Sequence, residues 1–184
     1  MAKNTKNIER KAIDKVFVML GSAATVVLLA ASALAYWGYY FATDQVRTQL
    51  SEQKIFFPEK GSPALDPKEY PDLQQYAGKQ VNDGPTAKAY ADGFIKRHLK
   101  KIADGKTYSE ISAEAMKNPD DTKLQQQKAT LFQGETLRGI LLGTGYAYWT
   151  FGMMAFYASI AAFVGALVMF VLVLLGVRHL RRLG

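Results

Sequence analysis

Two long stretches of the sequence contain no charged residue, and they constrain the fold more than any other feature. Residues 139–177 carry no charge between Arg138 and Arg178, and residues 16–43 form a second such stretch after a basic start. Each is longer than the roughly 20 apolar residues that cross a hydrocarbon core about 30 Å thick. The pattern therefore predicts two transmembrane helices, with residues 44–138 between them on one side of the membrane.

The net charge of +7 is concentrated beside these stretches. Residues 1–15 carry five Lys or Arg against two acids, and residues 178–184 carry three arginines and no acid. Short flanks rich in Lys and Arg stay in the cytoplasm, whereas a long loop can cross the membrane whatever its charge. We therefore expect a plasma-membrane protein with both termini in the cytoplasm and residues 44–138 outside. We expect no nucleic-acid partner, because that would need basic residues concentrated on a domain face.

Aromatic residues flank both apolar stretches, as is typical of a membrane–water boundary. They are Tyr36, Trp37, Tyr39 and Tyr40 near the end of residues 16–43, and Tyr146, Tyr148 and Trp149 in the first part of residues 139–177. The N-terminal apolar stretch could instead belong to a signal peptide, because Ala33-Leu34-Ala35 fits a small-x-small cleavage site. We favour an uncleaved anchor, since the apolar run is long and the aromatic residues follow it. Cleavage would leave a protein with a single span.

The segment between the spans predicts an all-α domain. Prolines interrupt residues 56–71, where Asp66-Pro67-Lys68-Glu69 has the composition of a helix start and a short helix is expected at 71–77. Apolar residues at three- and four-residue spacing then predict a helix over about 85–103. Thr107 and Glu110 have the spacing of a capping box for the next helix. We expect no β-strand.

The last predicted helix starts at Asn118-Pro119-Asp120-Asp121 and has no stop signal before the membrane. A single helix over residues 139–177 would be about 58 Å long, nearly twice the hydrocarbon thickness. The second span is therefore expected from Tyr148 to Val177. Residues 139–145 should either extend the helix outward into a packed interface or bend.

Small residues recur at the spacing that lets helix backbones approach closely in membranes. The candidate packing residues are Gly139, Gly143, Ala158, Ala161, Ala162, Gly165, Ala166, Ala31 and Ala35. Our preferred interpretation is that these faces pack the two spans together. A dedicated partner-binding face is the alternative, and small residues are also simply frequent in membrane helices.

The densest charge run is Lys96, Arg97, Lys100 and Lys101, around His98 and Leu99. These four basic residues could contact anionic lipid headgroups or a polyanionic polymer of the cell envelope. The interpretation that we favour is a solvated helix face whose other side is apolar. His98 is expected at the boundary of the core rather than at a metal, since the segment has no cysteine and no second histidine.

No residue pattern in the chain indicates catalysis, a cofactor or a metal site. The absence of cysteine excludes disulfides and thiol chemistry, and the serines between the spans have only His98 as a conceivable base. The spans contain no Asp, Glu, Lys, Arg or His that would mark an ion pathway. Gly143-Thr144-Gly145-Tyr146 is faintly similar to a potassium filter, but it continues directly to Trp149 without a pore helix or turn.

Several stretches between the spans resemble a group of uncharacterised two-span membrane proteins of actinobacteria. They are Gln53–Pro58, Gly61–Leu65, Tyr70–Gly78, Ala87–Asp92 and Thr130–Gly139. The similarity covers most of residues 36–150 and is looser in the spans. The resemblance implies two spans in an actinobacterial plasma membrane, and it implies no activity, ligand or catalytic residue.

Together these patterns predict a non-enzymatic membrane protein that contacts lipid and acts as an accessory or structural subunit of a membrane assembly, or as a homo-oligomer. The alternative is a ligand or cell-envelope sensor in which Phe56, Phe57, Tyr70 and Tyr76 line a pocket. A pore-forming oligomer is a more remote alternative, because polar pore-lining residues are not evident.

Overall fold

The computed structural model describes residues 2–182, with side chains from Arg10 onward. Met1, the side chains of residues 2–9 in the predicted basic N-terminus, and Leu183 and Gly184 of the predicted basic tail lie outside the described residues. The α-helices are α1 (Ala2–Glu52), α2 (Gly84–Lys88), α3 (Lys96–Ile102), α4 (Tyr108–Lys117), α5 (Thr122–Ile140) and α6 (Tyr148–Arg182). Two π-helical segments, Ala89–Ile95 and Leu141–Ala147, and two 3₁₀ helices, Pro63–Leu65 and Pro71–Tyr76, complete the elements. No strand occurs over residues 2–182, where Phe56 and Gln80 form an isolated antiparallel bridge, so the all-α prediction is confirmed.

Two helical stretches, residues 10–52 and 122–182, are long and apolar enough to cross a membrane. A core helix of a water-soluble protein can have the same composition, but it would be mostly buried. Here only 6% of the most apolar window of each stretch is buried. The chain divides into two compact units, a helical pair (residues 2–40 and 153–182) and a central unit (residues 41–152).

Small and hydroxyl-bearing residues hold the helical pair together. A Cβ on Gly21 of α1 would lie 2.8 Å from Val173 Cγ2 of α6, so the backbone there approaches its neighbour closely. Ser32 Oγ donates a 2.9 Å hydrogen bond to the carbonyl oxygen of Ser159. The close approach at Gly21 and the hydrogen bond from Ser32 therefore hold α1 against α6.

The central unit has one apolar core, to which the end of α1, the loop that follows it, the helices α2 to α5 and both π-helical segments contribute. Its most buried members are Val46, Leu50, Phe57, Leu65, Tyr70, Leu73, Val81, Ala87, Ala91, Ile95, Leu99, Ala103, Ile111, Leu131 and Leu141. Polar caps start the helices around this core. Asp83 accepts a 2.8 Å hydrogen bond from the backbone N–H of Thr86, and Thr107 forms the predicted capping box with Glu110.

The predicted helix over 85–103 exists, but its middle is π-helical. Its buried apolar side chains, those of Ala87, Ala91, Ile95, Leu99 and Ala103, are spaced by four. In an α-helix each step of four residues overshoots a full turn by about 40°, so such a series would drift away from the core. A π-helical segment has more residues per turn and reverses this drift. The segment Ala89–Ile95 therefore keeps the whole series facing the core.

Two predicted helix starts are wrong. Asp66 caps a turn by accepting a 2.8 Å hydrogen bond from the backbone N–H of Lys68, and no α-helix follows. Pro67 and Pro71 are close enough to interrupt any regular element between them. Asn118 ends α4 rather than starting the next helix, and Asp121 caps α5 by accepting a 3.0 Å bond from Leu124 N–H.

Candidate functional site

The basic run of the sequence divides into two groups with different surroundings. Arg97 forms a bidentate ion pair with Asp72, at 2.8 and 2.7 Å, and Lys101 pairs with Glu69. Both cations also lie over the ring of Tyr70, at 5.6 Å. The hydrogen bond from Arg97 lowers the pKa of the Asp72 carboxyl. Two of the four basic residues in this run are therefore paired with carboxylates, and Lys96 and Lys100 remain.

The remaining two, Lys96 and Lys100, line a groove of about 460 Å³ between α3, the following loop and α5. Neither has a carboxylate within 4.0 Å among the residues whose side chains the structure describes. We call this cavity the basic groove. Its lining residues are Lys96, Leu99, Lys100, Gly105, Lys106, Thr107, Tyr108, Ser109, Leu131, Glu135 and Arg138.

The floor of the basic groove is apolar and firmly held. Leu99 and Leu131 are 4% and 2% exposed. A Cβ on Gly134 would lie 2.5 Å from Leu99 Cδ2, so α3 and α5 approach each other closely there. Gln127 Nε2 of α5 donates a 2.8 Å hydrogen bond to the carbonyl oxygen of Ile102. These contacts fix the two walls of the groove relative to each other.

The polar rim of the basic groove carries four cations and one carboxylate. Lys106 forms an ion pair with Glu114, with 2.8 Å between Nζ and Oε1. Arg138 binds Glu135 at 2.5 Å and Asp92 at 3.3 Å, and its Nε is buried without a hydrogen-bond partner. The pKa of Asp92 is lowered by hydrogen bonds from Lys88 and from Arg138, against the opposing effect of burial.

A second cavity of the central unit, of about 550 Å³, differs from the basic groove in its charges. Its charged lining residues pair with each other, Asp72 with Arg97 and Lys88 with Asp92. A cleft of about 270 Å³ lies within the helical pair, where Asp14 and His179 approach to 3.8 Å. The charged lining residues of the larger cavity are all paired, so it presents no free charge that would select a ligand.

An exposed and uncharged stripe follows α5 and its continuation on the side opposite the core. We call it the outer stripe, and its members are Thr136, Gly139, Ile140, Gly143, Thr144, Ala147, Tyr148 and Phe151. Apart from its own stretch of helix, no described atom lies within 4 Å of a Cβ built on Gly139 or Gly143. The opposite side of the same helix is buried at Leu131, Leu141 and Gly145. Among the described residues, no other part of the chain therefore packs against the two predicted glycines.

The small residues predicted to pack the spans have different surroundings. Ala166 is buried, and Ala35, Ala162 and Gly165 are half-buried, whereas Ala31, Ala158 and Ala161 are exposed. The prediction missed Gly21, Thr25 and Ser32, which form the packing face of α1 at spacings of four and seven. That spacing was visible in the sequence, but the hydroxyl residues were not counted as small.

The predicted aromatic belt is also divided. Tyr36, Trp37, Tyr40 and Tyr148 are exposed, and Tyr39 packs on Phe156 with ring centroids 4.9 Å apart. Trp149 instead packs on α2, where a Cβ on Gly84 would lie 2.4 Å from its Cγ. The Lys88 ammonium lies over the ring of Tyr146, with 4.8 Å between Nζ and the ring centroid. Trp149 and Tyr146 therefore take part in packing the central unit.

The aromatic residues suggested as a sensor pocket mostly form the core. Phe57 is 2% exposed, stacks on Tyr76 at 5.1 Å and meets the Tyr90 ring edge-on at 5.0 Å. Tyr70 is buried against Phe94. Phe56 is 52% exposed. Their arrangement leaves the basic groove, rather than an aromatic pocket, as the candidate ligand site.

His98 is exposed and stacks on Phe94, with centroids 6.3 Å apart, as expected for a histidine at the core boundary. No group of three or more His, Cys, Asp or Glu that could hold a metal ion occurs among the residues that the structure describes. No family model, curated protein or solved structure matches the chain. The geometry of the chain itself therefore carries the functional argument.

Proposed function

We propose that this protein is a non-catalytic integral membrane protein and a structural subunit of a membrane assembly. In this proposal its two long apolar helices cross the plasma membrane, both termini are cytoplasmic, and the central unit is outside. The central unit binds a neighbouring membrane protein or a second copy of the chain through the outer stripe. Kinship with the actinobacterial two-span proteins is part of the same proposal and rests on the sequence stretches alone.

The proposal that the two long helices cross the membrane is supported by the large number of apolar side chains that they expose. Large apolar side chains such as Phe17, Leu34 and Phe163 are 68%, 70% and 48% exposed. Water would make such a surface unfavourable by roughly 25 cal/mol for each Å² of apolar area. Lipid removes that penalty, and the basic residues at both chain ends favour the proposed orientation.

The assembly part rests on one observation, the unoccupied outer stripe. Its eight residues cover about 22 Å of helix at 1.5 Å per residue, and none is charged. Glycines four residues apart allow a second helix to approach closely. For the part of the stripe before Tyr148, a charged surface facing water would serve solubility better, so an uncharged stripe there is favoured where another helix covers it.

Site-directed cross-linking tests the proposal, and the absence of cysteine from the chain makes it direct. The variants Gly143→Cys and Ala147→Cys would be labelled in native membranes with a maleimide that carries a photoreactive group. We expect both to give a discrete adduct on illumination. A product of twice 20.4 kDa indicates a second copy, and another mass indicates a different partner.

The matched control is Ala113→Cys, an exposed small residue on α4 away from the outer stripe. It should give no discrete adduct. Equal yields from Ala113→Cys and the stripe variants would contradict the proposal, because they would indicate random collision. So would a lone 20.4 kDa species after extraction in a mild detergent, with no adduct in the membrane.

One observation favours the alternative, a sensor or binding module outside the membrane. The basic groove has a size typical of small-molecule sites and a strong excess of positive charge. Binding there is compatible with a structural role, since the outer stripe and the groove do not share a residue.

A further inference from the structure

We propose that the basic groove binds a small amphiphilic anion, that is, a molecule with an apolar body and a phosphate or carboxylate group. The apolar body would lie against the half-buried Tyr108 and the small exposed parts of Leu99 and Leu131, and the anionic group would lie between Lys96 and Lys100. This assignment concerns a surface distinct from the outer stripe, so it stands or falls independently of the assembly.

Two lysines without a carboxylate partner support this assignment. Every other lysine and arginine of α2, α3 and the segment between them has a carboxylate partner: Lys88 with Asp92, Arg97 with Asp72 and Lys101 with Glu69. Lys96 and Lys100 have none among the described side chains, although they lie four residues apart on one helix face. Like charges at this spacing repel each other, and an anion bound between them removes the repulsion.

Arg138 is the second argument. Its side chain is 17% exposed, and the guanidinium is fixed by Glu135 and Asp92. Its Nε is nevertheless buried without a partner, which is unfavourable for a charged donor. Because this atom is closed to solvent, a ligand oxygen would reach it only after the side chain moves; what Arg138 gives the groove itself is its positive charge. Glu135 opposes an anion, but its charge is already engaged by Arg138, while both lysines are unengaged.

The apolar floor decides between a small amphiphile and a polyanionic polymer. A polymer would be bound best by a row of free cations, but Arg97 and Lys101 face away into their own ion pairs. The groove holds about 460 Å³, within the roughly 300–1,000 Å³ of small-molecule sites, and buried leucines form its base. This combination suits an alkyl or aryl body with one anionic end.

The position of the groove favours a free molecule over a headgroup within the bilayer. Arg138 lies ten residues before Tyr148, where the second span is expected to begin. At 1.5 Å per residue that is about 15 Å along the helix axis. A lipid headgroup would have to leave the membrane plane to reach the groove, whereas a dissolved anion would not.

Calorimetric titration of the full-length protein tests the assignment, with the protein held in a phosphatidylcholine nanodisc. The probes are propyl phosphate, hexyl phosphate, inorganic phosphate and hexanol. We expect saturable binding of hexyl phosphate, weaker binding of propyl phosphate, and at least tenfold weaker binding of inorganic phosphate and hexanol. Affinity that does not depend on chain length would overturn the amphiphile assignment, and an absence of binding would overturn the site.

A double variant localises the binding. Lys96→Gln with Lys100→Gln should weaken hexyl phosphate binding at least tenfold. The matched control is Lys60→Gln with Lys68→Gln, which removes the same charge from two exposed lysines outside the groove. An equal loss in both double variants would indicate general electrostatic attraction and overturn the proposal.

A nanodisc that contains phosphatidylglycerol separates the two sources of the anion. Unchanged hexyl phosphate binding in that nanodisc supports a dissolved ligand. Loss of binding would show that bilayer headgroups occupy the lysines, and it would overturn the assignment to a free molecule. The cross-linking pattern of the outer stripe should be the same in every arm, which keeps this test separate from that of the assembly.

Discussion

Asp92 connects two helices of the central unit through opposite charges. Its carboxylate accepts a 2.9 Å hydrogen bond from Lys88 on α2 and a 3.3 Å bond from Arg138 on α5. Lys88 is largely solvated, whereas Arg138 is mostly buried, so the second contact is screened less. Removal of the carboxylate would leave the buried guanidinium with Glu135 alone.

We therefore expect Asp92→Asn to lower the free energy of unfolding by about 1 kcal/mol, at the upper end for partly exposed pairs. Thermal unfolding of the full-length protein in a mild detergent, followed by tryptophan fluorescence, measures it. Glu59→Gln is a control, since Glu59 has no ion pair among the described side chains. Equal effects of the two changes would contradict this role of Asp92.

The pH dependence follows from the same contacts. The pKa values of Asp72 and Asp92 are lowered below the ordinary 3.8 by hydrogen bonds from Arg97 and Lys88. A lowered folded-state pKa gives stability that is present above the unfolded value and is lost as the pH falls through the folded value. Below pH ~4 the native protein should therefore lose stability more steeply than the double variant Asp72→Asn, Asp92→Asn. Parallel pH profiles of the two proteins would refute this account.

Two glycines of the central unit allow a controlled test of close packing, because one lies against a neighbouring side chain and the other does not. A Cβ on Gly84 would lie 2.4 Å from Trp149 Cγ, whereas a Cβ on Gly139 would meet nothing within 4 Å. Gly84→Ala should cost about 1–3 kcal/mol by overpacking. Gly139→Ala should be neutral or stabilise by up to about 1 kcal/mol, since alanine favours a helix. Thermal unfolding followed by tryptophan fluorescence measures both, and similar midpoints would contradict the packing.

The helix elements were largely predictable because their signals are local. The cap at Asp83, the capping box of Thr107 and Glu110, and the apolar spacing over 85–103 all lie within a few residues of what they determine. The π-helical segments were missed, because spacings of three and four also fit an ordinary α-helix. The series at spacings of four, Ala87, Ala91, Ile95, Leu99 and Ala103, carried that information, but only burial shows that all five face one core.

Substitutions at the start of α5 test which of two neighbouring aspartates caps this helix. Asp121 accepts a hydrogen bond from Leu124 N–H, and Asp120 accepts none from the helix. Asp121→Ala should therefore destabilise the protein by about 1 kcal/mol, and Asp120→Ala by less than about 0.5 kcal/mol. Chemical unfolding followed by circular dichroism measures both. The reverse order would show that the helix begins one residue earlier.

At the scale of the whole molecule, the sequence predicts the existence of the apolar helices better than their contacts. A helix that is apolar on all sides has no polar face to fix its rotation, so the buried residues of the pair, such as Gly21 and Ser159, could not be chosen in advance. The ion pair between Arg97 and Asp72 joins positions 25 residues apart across an irregular loop. The basic groove likewise depends on which lysines are left unpaired, which only the three-dimensional arrangement reveals.

The central claim is that the chain crosses the membrane twice with its central unit outside. Cysteine accessibility in intact cells tests it most directly, because the native chain has no cysteine. Ala113→Cys in the central unit should react with a membrane-impermeant maleimide in intact cells, and Arg182→Cys near the C-terminus only after lysis. Labelling of Arg182→Cys but not of Ala113→Cys in intact cells would contradict the claim.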